Sequence, residues 1–305
     1  MQCLIAIVGP TAAGKSELAL YLARYFPAEI VGADSRQVYR YMDIGTNKPT
    51  LAERAMTPHH LVDIIEPDED FNLAVYQKLA SGAIKTIQQK NKLPLLVGGS
   101  GLYIWSLVEG WRMPQVPPNP KLRYALESRA KQEGNNILYK ELQQIDPLAA
   151  IKILPGNTRR IIRALEIYHV TGQPPSQLQI KKTPDFPILT IGLTLERTML
   201  YDRIDCRLHK MIQDGLIKEV DNLLKRGYSP TLPSMTGIGY KQIIQFIQGK
   251  LSLPLAIEQI KHETHRLVRH QYTWFKPGDK RIHWFNPTED SNREKMIELV
   301  RGFLT

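Results

Sequence analysis

Eight consecutive residues, Gly9-Pro10-Thr11-Ala12-Ala13-Gly14-Lys15-Ser16, satisfy the pattern GxxxxGK[ST], with an apolar run before them and a helix pattern after. Each position has a chemical reason. Glycines let the backbone bend round a phosphate, while successive N–H groups and the first turn of the following helix supply partial positive charge. Lys15 adds a full charge and Ser16 a hydroxyl suited to Mg²⁺. The pattern predicts a polyphosphate ligand without naming it. Asp34 follows the next apolar run, at the edge where open α/β sheets bind ligands. Three roles stay open for it: Mg²⁺ ligand, general base, or helix N-cap through Asp34-Ser35. A second glycine loop, Gly98-Gly99-Ser100-Gly101, is either a tight connection or a hydroxyl presented to the same cleft.

Cationic side chains recur later. Arg203 and Arg207 are spaced i,i+4, with Lys210 at i+7, so they share one helix face while Leu200, Ile204, Leu208 and Met211 form the opposite one. That face reads as a lid over diphosphate or, with Asp202 and Asp205 nearby, as a solvated ion-paired surface. Arg159, Arg160 and Arg163 cluster on another helix, as phosphate-backbone contacts require and as a solvated face also allows. A late helix carries His262, Glu263, His265, Arg266, Arg269 and His270 and ends in Tyr272-Thr273-Trp274-Phe275. Its His spacing lacks the HExxH pattern and arginines would repel a cation, so a basic, aromatic RNA surface is the better reading than zinc.

These groups need a scaffold. Cys3–Val8, Glu29–Val31 and Leu93–Val97 read as buried strands, and Ser16–Phe26, Leu73–Gln89 and Leu102–Glu109 as the helices between them. Such alternation argues a parallel, doubly wound sheet. Four prolines fall in the eight residues 113–120, after which Lys121–Val170 shows only helix patterns, one of them Thr158–His169 behind an Asn157 cap. Ile188–Leu193 returns to strand character. Helices follow at Arg197–Asp214, Leu216–Arg226, Tyr240–Gln248 and Leu255–Phe275, then a strand at Arg281–Phe285 and a helix at Arg293–Phe303. The expected fold is a P-loop NTPase-like α/β parallel sheet with helices on both faces (1–115 and 188–305), plus an all-helical insertion domain (116–187).

Composition narrows the class. Within 305 residues, 43% hydrophobic and 23% charged content is that of a globular chain, and no apolar run approaches a membrane span. Two cysteines, Cys3 and Cys206, make no disulfide framework, so a reducing, cytoplasmic setting is expected. Residues 1–110 hold 10 Lys/Arg against 11 Asp/Glu, and residues 111–305 hold 30 against 19, so the entire +10 excess lies in the later part. A neutral catalytic portion joined to a basic surface for a polyanion is the implied division of labour.

On these stretches the chain resembles the tRNA dimethylallyltransferase (tRNA isopentenyltransferase) family. Besides the phosphate loop, the resemblance is carried by Asp34–Tyr39 (DSRQVY), Met42–Pro49 (MDIGTNKP), Pro58–Asp63 (PHHLVD), Val97–Tyr103 (VGGSGLY), Asn157–Glu166 (NTRRIIRALE), Tyr201–Met211, Gly237–Gln242 (GIGYKQ) and Arg269–Phe275. It implies transfer of dimethylallyl from dimethylallyl diphosphate to N6 of the adenosine 3′ of the anticodon, with Mg²⁺ as cofactor. Asp34 then matches the catalytic aspartate, assisted by Thr11, Lys15 and Arg203. Gly9, Pro10, Thr11, Ala12, Ala13, Gly14, Lys15, Ser16 and Arg207 match the diphosphate cradle, Ser16 being the metal-binding hydroxyl. Asp34, Ser35, Arg36, Gln37, Ser100, Thr158, Arg159, Arg160, Ile161 and Ile162 match stretches lining the tRNA site, to which the basic pattern adds Arg163, Arg266 and Arg269.

The implied partners are tRNA, gripped at its anticodon stem-loop by the insertion, and dimethylallyl diphosphate. A monomer is expected, with no membrane. Ser100 stands where many relatives have Thr, and His270 where an Arg is usual. With no zinc finger after Phe275, the chain resembles the short bacterial or organellar form. The competing readings are an adenylate isopentenyltransferase acting on free nucleotide, which needs no basic insertion, and a P-loop kinase, for which only Leu61-Val62-Asp63 offers a weak Walker-B strand. A non-catalytic RNA-binding module would leave the phosphate loop and Asp34 without purpose.

Overall fold

The computed structural model describes residues 2–112, 114, 116–178 and 180–305. Met113 and Gln115 of the proline-rich junction lie outside the described residues. Contacts divide the chain into two compact units, Met1–Val108 with Pro184–Thr305, and Glu109–Thr183.

The first unit is built on six parallel strands: β1 (Leu4–Val8), β2 (Ala28–Gly32), β3 (His59–His60), β4 (Leu93–Val97), and, beyond the second unit, β7 (Ile188–Leu193) and β8 (Ile282–Phe285). Their order is β3-β2-β4-β1-β7-β8. Being parallel, they bring every carboxyl end to one edge. The central strands are buried along their whole length, which is why they read as unbroken apolar runs instead of alternating ones. Ile5 and Ile7 face a core shared with Leu18 and Leu22 of α1 (Lys15–Leu22). Leu200 and Ile204 of α10 (Arg197–Gln213), Val268 of α13 (Leu253–Trp274) and Met296 of α14 (Asp290–Leu304) complete that layer. α3 (Leu73–Gln89) packs on β2 and β4, and α4 (Gly101–Val108) on β1 and α3.

A second cluster joins α11 (Leu216–Lys225) and α12 (Tyr240–Ile247) to Val38, Tyr39 and Met42 in the loop after β2. Two short elements are not visible as periodic patterns: α2 (Leu51–Met56) and β3. α2 is held by a reciprocal cap between Thr50 and Glu53. β3 is joined to β2 by its ladder and by His60, whose Nε2 lies 2.7 Å from the buried carboxylate of Glu29.

The second unit contains α5 (Pro120–Glu133), α6 (Asn135–Ile145), α7 (Pro147–Lys152), α8 (Thr158–Thr171) and α9 (Pro175–Leu178). Leu126, Leu138, Leu142, Ile161, Ile162 and Leu165 fill its core. It is not wholly helical. β5 (Trp111–Arg112) and β6 (Ile180–Lys181) pair antiparallel where the chain enters and leaves, too short for any alternation to announce them. No helix among the described residues is long and apolar enough to cross a membrane.

Candidate active site

The phosphate loop leaves β1 at Gly9, whose φ is +137° and whose Cβ, if present, would lie 2.3 Å from the Leu193 carbonyl oxygen on β7. Only glycine fits a backbone pressed so closely against its neighbour strand. Pro10, Thr11, Ala12 and Ala13 carry the turn, Ala13 N–H donating to Pro10 O at 3.4 Å, and Gly14 opens α1 in the left-handed region. Lys15 Nζ donates to the Pro10 carbonyl at 2.6 Å, across the mouth of its own loop. Its pKa is lowered to about 7, first by desolvation and then by the charge of Arg207, with Asp34 pulling the other way. Those causes place Lys15, Arg207 and Asp34 in one electrostatic neighbourhood, although 192 residues separate Lys15 from Arg207 in sequence. Arg207 Nη1 also lies 3.5 Å from Thr11 Oγ1. Arg203, one turn earlier on α10, is exposed. Ser16 is exposed at the start of α1.

Asp34 stands just past the end of β2. Its Oδ1 accepts the N–H of Arg36 at 2.8 Å and of Gln37 at 3.4 Å, so the cap-like role is realised, but over a turn and not a helix. One carboxylate oxygen, Oδ1, thereby fixes the side chain. Ser35 is half-buried beside it. Arg36 donates to the carbonyls of Pro233 and Ser234, and Gln37 Nε2 to those of Thr46 (3.1 Å) and Asn47 (2.9 Å). Ser100 is half-buried at the head of α4, its N–H 3.3 Å from Ala33 O, which sets the second glycine loop beside the Asp34 loop.

An aromatic group stands near Asp34. Tyr76 and Tyr103 stack at 3.9 Å between centroids, and Phe71 meets Tyr103 edge-on at 6.4 Å. Burial raises Tyr103 to about 12, with the Tyr39 and Asp34 charges adding to it. The Tyr76 hydroxyl is buried with no hydrogen-bond partner among the described residues.

Of the late-helix cations, Arg266 is exposed and Arg269 donates to the Tyr201 hydroxyl at 3.2 Å. His265 is stacked on Tyr201 and lies 3.2 Å from Asp205, an ion-pair arrangement shared with Lys261. No group of three or more His, Cys, Asp or Glu side chains among the described residues is arranged to hold a metal ion.

In the second unit Asn157 caps α8 through Arg160 N–H, and Arg159 and Arg160 are exposed in its first turn beside Thr158. The next three residues are placed differently. Ile161 and Ile162 are core side chains. Arg163 donates to Glu166, at 2.5 Å, and to Val116 O, at 2.8 Å. Glu166 is fully buried and also takes a paired hydrogen bond from Arg123, which with the Asn119 N–H outweighs desolvation and brings its pKa to about 2. Arg159 and Arg160 are thus the exposed cations at the start of this helix, with Thr158 half-buried beside them. Ile161 and Ile162 are engaged in packing and Arg163 in ion pairing.

Two residues of the first unit carry no chemical signature in the sequence, yet the loops depend on them. Gln271 on α13 accepts the Thr11 N–H at 2.9 Å and donates to Gly99 O at 3.1 Å. Glu219 on α11 accepts the N–H groups of Asp43, Ile44 and Gly45 at 2.7–3.1 Å and the Tyr240 hydroxyl at 2.7 Å.

Residues 37–278 match the family model described as IPP transferase. The chain is 53% identical over 273 residues to the tRNA dimethylallyltransferase of Roseiflexus castenholzii, covering 90% of this chain and 89% of that one. It is 50% identical over 301 residues to that of Dehalococcoides mccartyi, covering 99% and 92%. The second relative, matched over 301 of the 305 residues, extends the similarity to the phosphate loop and Asp34, which precede the segment matched by the family model. Among solved structures, the tRNA isopentenylpyrophosphate transferase of Bacillus halodurans superposes with a TM-score of 0.73 at 38% identity, covering 99% of this chain and 96% of that one. A eukaryotic dimethylallyltransferase acting on tRNA superposes with a TM-score of 0.84 at 27% identity, covering 100% and 80%. With sequence and fold agreeing over nearly its whole length, the chain belongs to the IPP transferase family.

Proposed function

We propose that the protein is a tRNA prenyltransferase that moves a dimethylallyl group from dimethylallyl diphosphate to N6 of an adenosine 3′ of the anticodon. The observation that carries this reading is the meeting of a cationic phosphate loop with one carboxylate, Asp34, at a single edge of the sheet. A kinase can carry the same pair, since phosphoryl transfer also uses an Asp as base or Mg²⁺ ligand; similarity to tRNA dimethylallyltransferases over nearly the whole chain favours alkylation of the exocyclic amine.

In the transfer, the N6 lone pair forms a bond to the first allylic carbon while that carbon's bond to the diphosphate oxygen breaks. The electron pair leaves with the diphosphate. Lys15, Arg207, Arg203 and the loop amides offset the charge that accumulates there. The N6 proton passes to Asp34, whose orientation is set by the Arg36 and Gln37 amides. The donors beside the loop are a hydroxyl, Ser16, and a carboxylate, Asp34; this hard-oxygen set suits Mg²⁺, which keeps much of its water and takes substrate phosphate oxygens as ligands. Ser16 would hold that ion, and when bound it adds positive charge on the diphosphate. An adenine stacked in a loop cannot reach such a cleft, so the base is expected to be flipped out. The exposed Arg159 and Arg160 on α8 supply phosphate contacts from the insertion. We place the enzyme in the cytoplasm as a monomer.

The test is a transfer assay with labelled dimethylallyl diphosphate, Mg²⁺ and unmodified tRNA, with AMP and ATP in parallel. Label mapped to the adenosine beside the anticodon is the expected result. Label in AMP alone would replace the tRNA substrate by a free nucleotide, and label in neither would reopen phosphoryl transfer.

A further inference from the structure

We propose that Gln271 is a positioning residue that fixes the spacing between the phosphate loop and the glycine loop beside Asp34; this rests on the prenyl-transfer reading above. One carboxamide ties both. Oε1 accepts the N–H of Thr11 and Nε2 donates to the carbonyl of Gly99, with the side chain only 7% exposed. A backbone N–H can only donate and a carbonyl only accept, so the two partners admit a single amide orientation. The fit is close. A Cβ on Gly99 would lie 2.3 Å from Nε2, so even a methyl group there would expel the amide.

The tie reaches reacting groups on both sides. The Thr11 backbone held by Gln271 is that of the residue whose Oγ1 lies 3.5 Å from Arg207 Nη1. On the other side Gly99 precedes Ser100, whose N–H meets Ala33 O next to Asp34. Gln271 itself is anchored. The neighbouring Tyr272 hydroxyl is 2.8 Å from Thr194 Oγ1, Trp105 Nε1 donates to Trp274 O at 2.9 Å, and Phe275 is buried. The last turn of α13 therefore joins the ends of β1, β4 and β7. No other side chain type combines this reach with one donor and one acceptor on the same planar group: Glu lacks the donor, Met lacks both, and Asn is one methylene shorter.

The experiment compares Gln271→Met and Gln271→Glu with wild type in the tRNA transfer assay, with tRNA and diphosphate affinities measured separately. Turnover is normalised to folded protein by circular dichroism. Gln271→Met is expected to lose turnover on the order of 100-fold, as a misplacement of about 1 Å does, with both affinities near wild type. Gln271→Glu keeps the acceptor for Thr11. Its rate relative to wild type should rise as pH falls and the carboxyl regains a proton to donate to Gly99, a recovery Gln271→Met cannot show. A wild-type rate per folded molecule in Gln271→Met overturns the proposal, as does a loss fully accounted for by unfolded protein, or a Gln271→Glu profile parallel to that of Gln271→Met. A wild-type protein that labels no tRNA overturns the functional reading instead, and this assignment falls with it.

Discussion

The carboxylate of Glu219 and the hydroxyl of Tyr240 meet at 2.7 Å, and the same carboxylate holds three consecutive backbone N–H groups of the Asp43–Gly45 turn. One helix thereby pins the loop whose next residues, Thr46 and Asn47, receive Gln37 beside Asp34. Glu219→Ala leaves those amides and the Tyr240 hydroxyl without their acceptor. It should lower stability by about 1–2 kcal/mol, since the partly exposed amides can turn to water while the buried Tyr240 hydroxyl loses its acceptor. Chemical denaturation measures the loss, and a change below about 0.5 kcal/mol would show that the loop is held by other means.

Asp34→Asn preserves an oxygen for the Arg36 amide but cannot take the N6 proton. Turnover should fall by about 10²–10⁴-fold with tRNA affinity retained. Single-turnover transfer checks the first part and filter binding the second. Unchanged transfer would remove Asp34 from the mechanism.

Lys15, with its pKa near 7 against an ordinary 10.5, makes the ligand-free fold pH-sensitive. Between those values the unfolded chain binds the extra proton, so stability rises with pH across that window. Below 7 the lysine is charged in both states and its desolvation cost is present in full. Lys15→Met should therefore be more stable than wild type, by a margin that grows as pH falls from 10.5 to 7 and then levels off. Diphosphate binding near pH 7.5 should also take up protons in wild type and not in the variant, which calorimetry in buffers of different ionisation enthalpy reads directly.

The arginines of α8 divide into two kinds. Changing Arg159 and Arg160 together to Gln should leave the melting temperature alone and flatten the salt dependence of tRNA binding by about two ion equivalents, one per lost phosphate contact. Arg163→Ala should do the reverse, because it removes a partner of buried Glu166. A lower melting temperature in the first variant, or a flatter salt slope in the second, would exchange their roles.

Glu166 gives a pH signature of its own. Its pKa of about 2, against an ordinary 4.5, contributes stability that is complete above 4.5 and is lost as pH falls through 2. Glu166→Gln should cost about 3 kcal/mol at neutral pH, as breaking a buried pair does. The gap to wild type should narrow on acidification to pH 2.

Much of this was readable in advance. Gly9–Ser16, Asp34 and Ser100 follow strands whose apolar runs are long enough to identify, and parallel strands bring their loops to one edge. Pairings across the chain were not readable. Gln271 and Glu219 look like ordinary helix residues because their loop partners are backbone groups 172–260 residues away, and a backbone amide has no signature in a sequence. Arg163 looks like its neighbours on α8 because the i,i+3 spacing to Glu166 allows a pair without reporting that Glu166 is buried against Arg123 and Asn119, 43 and 47 residues away. β3 and the β5–β6 pair are two residues per strand, below the length at which any period exists. α2 did leave a trace, the Thr50…Glu53 cap spacing, although the short helix behind it is partly polar.

The β5–β6 pair has a consequence for how such a chain can be remodelled. Trp111 lies opposite Lys181, so the segment between them begins and ends within one strand spacing, about 5 Å. The 69 residues between them can thus be lengthened, trimmed or exchanged for another sequence with no demand on the order of the six parallel strands, provided the replacement starts and finishes side by side. The proposed grip on tRNA and the proposed chemistry at the sheet edge would in this way be free to change independently of each other.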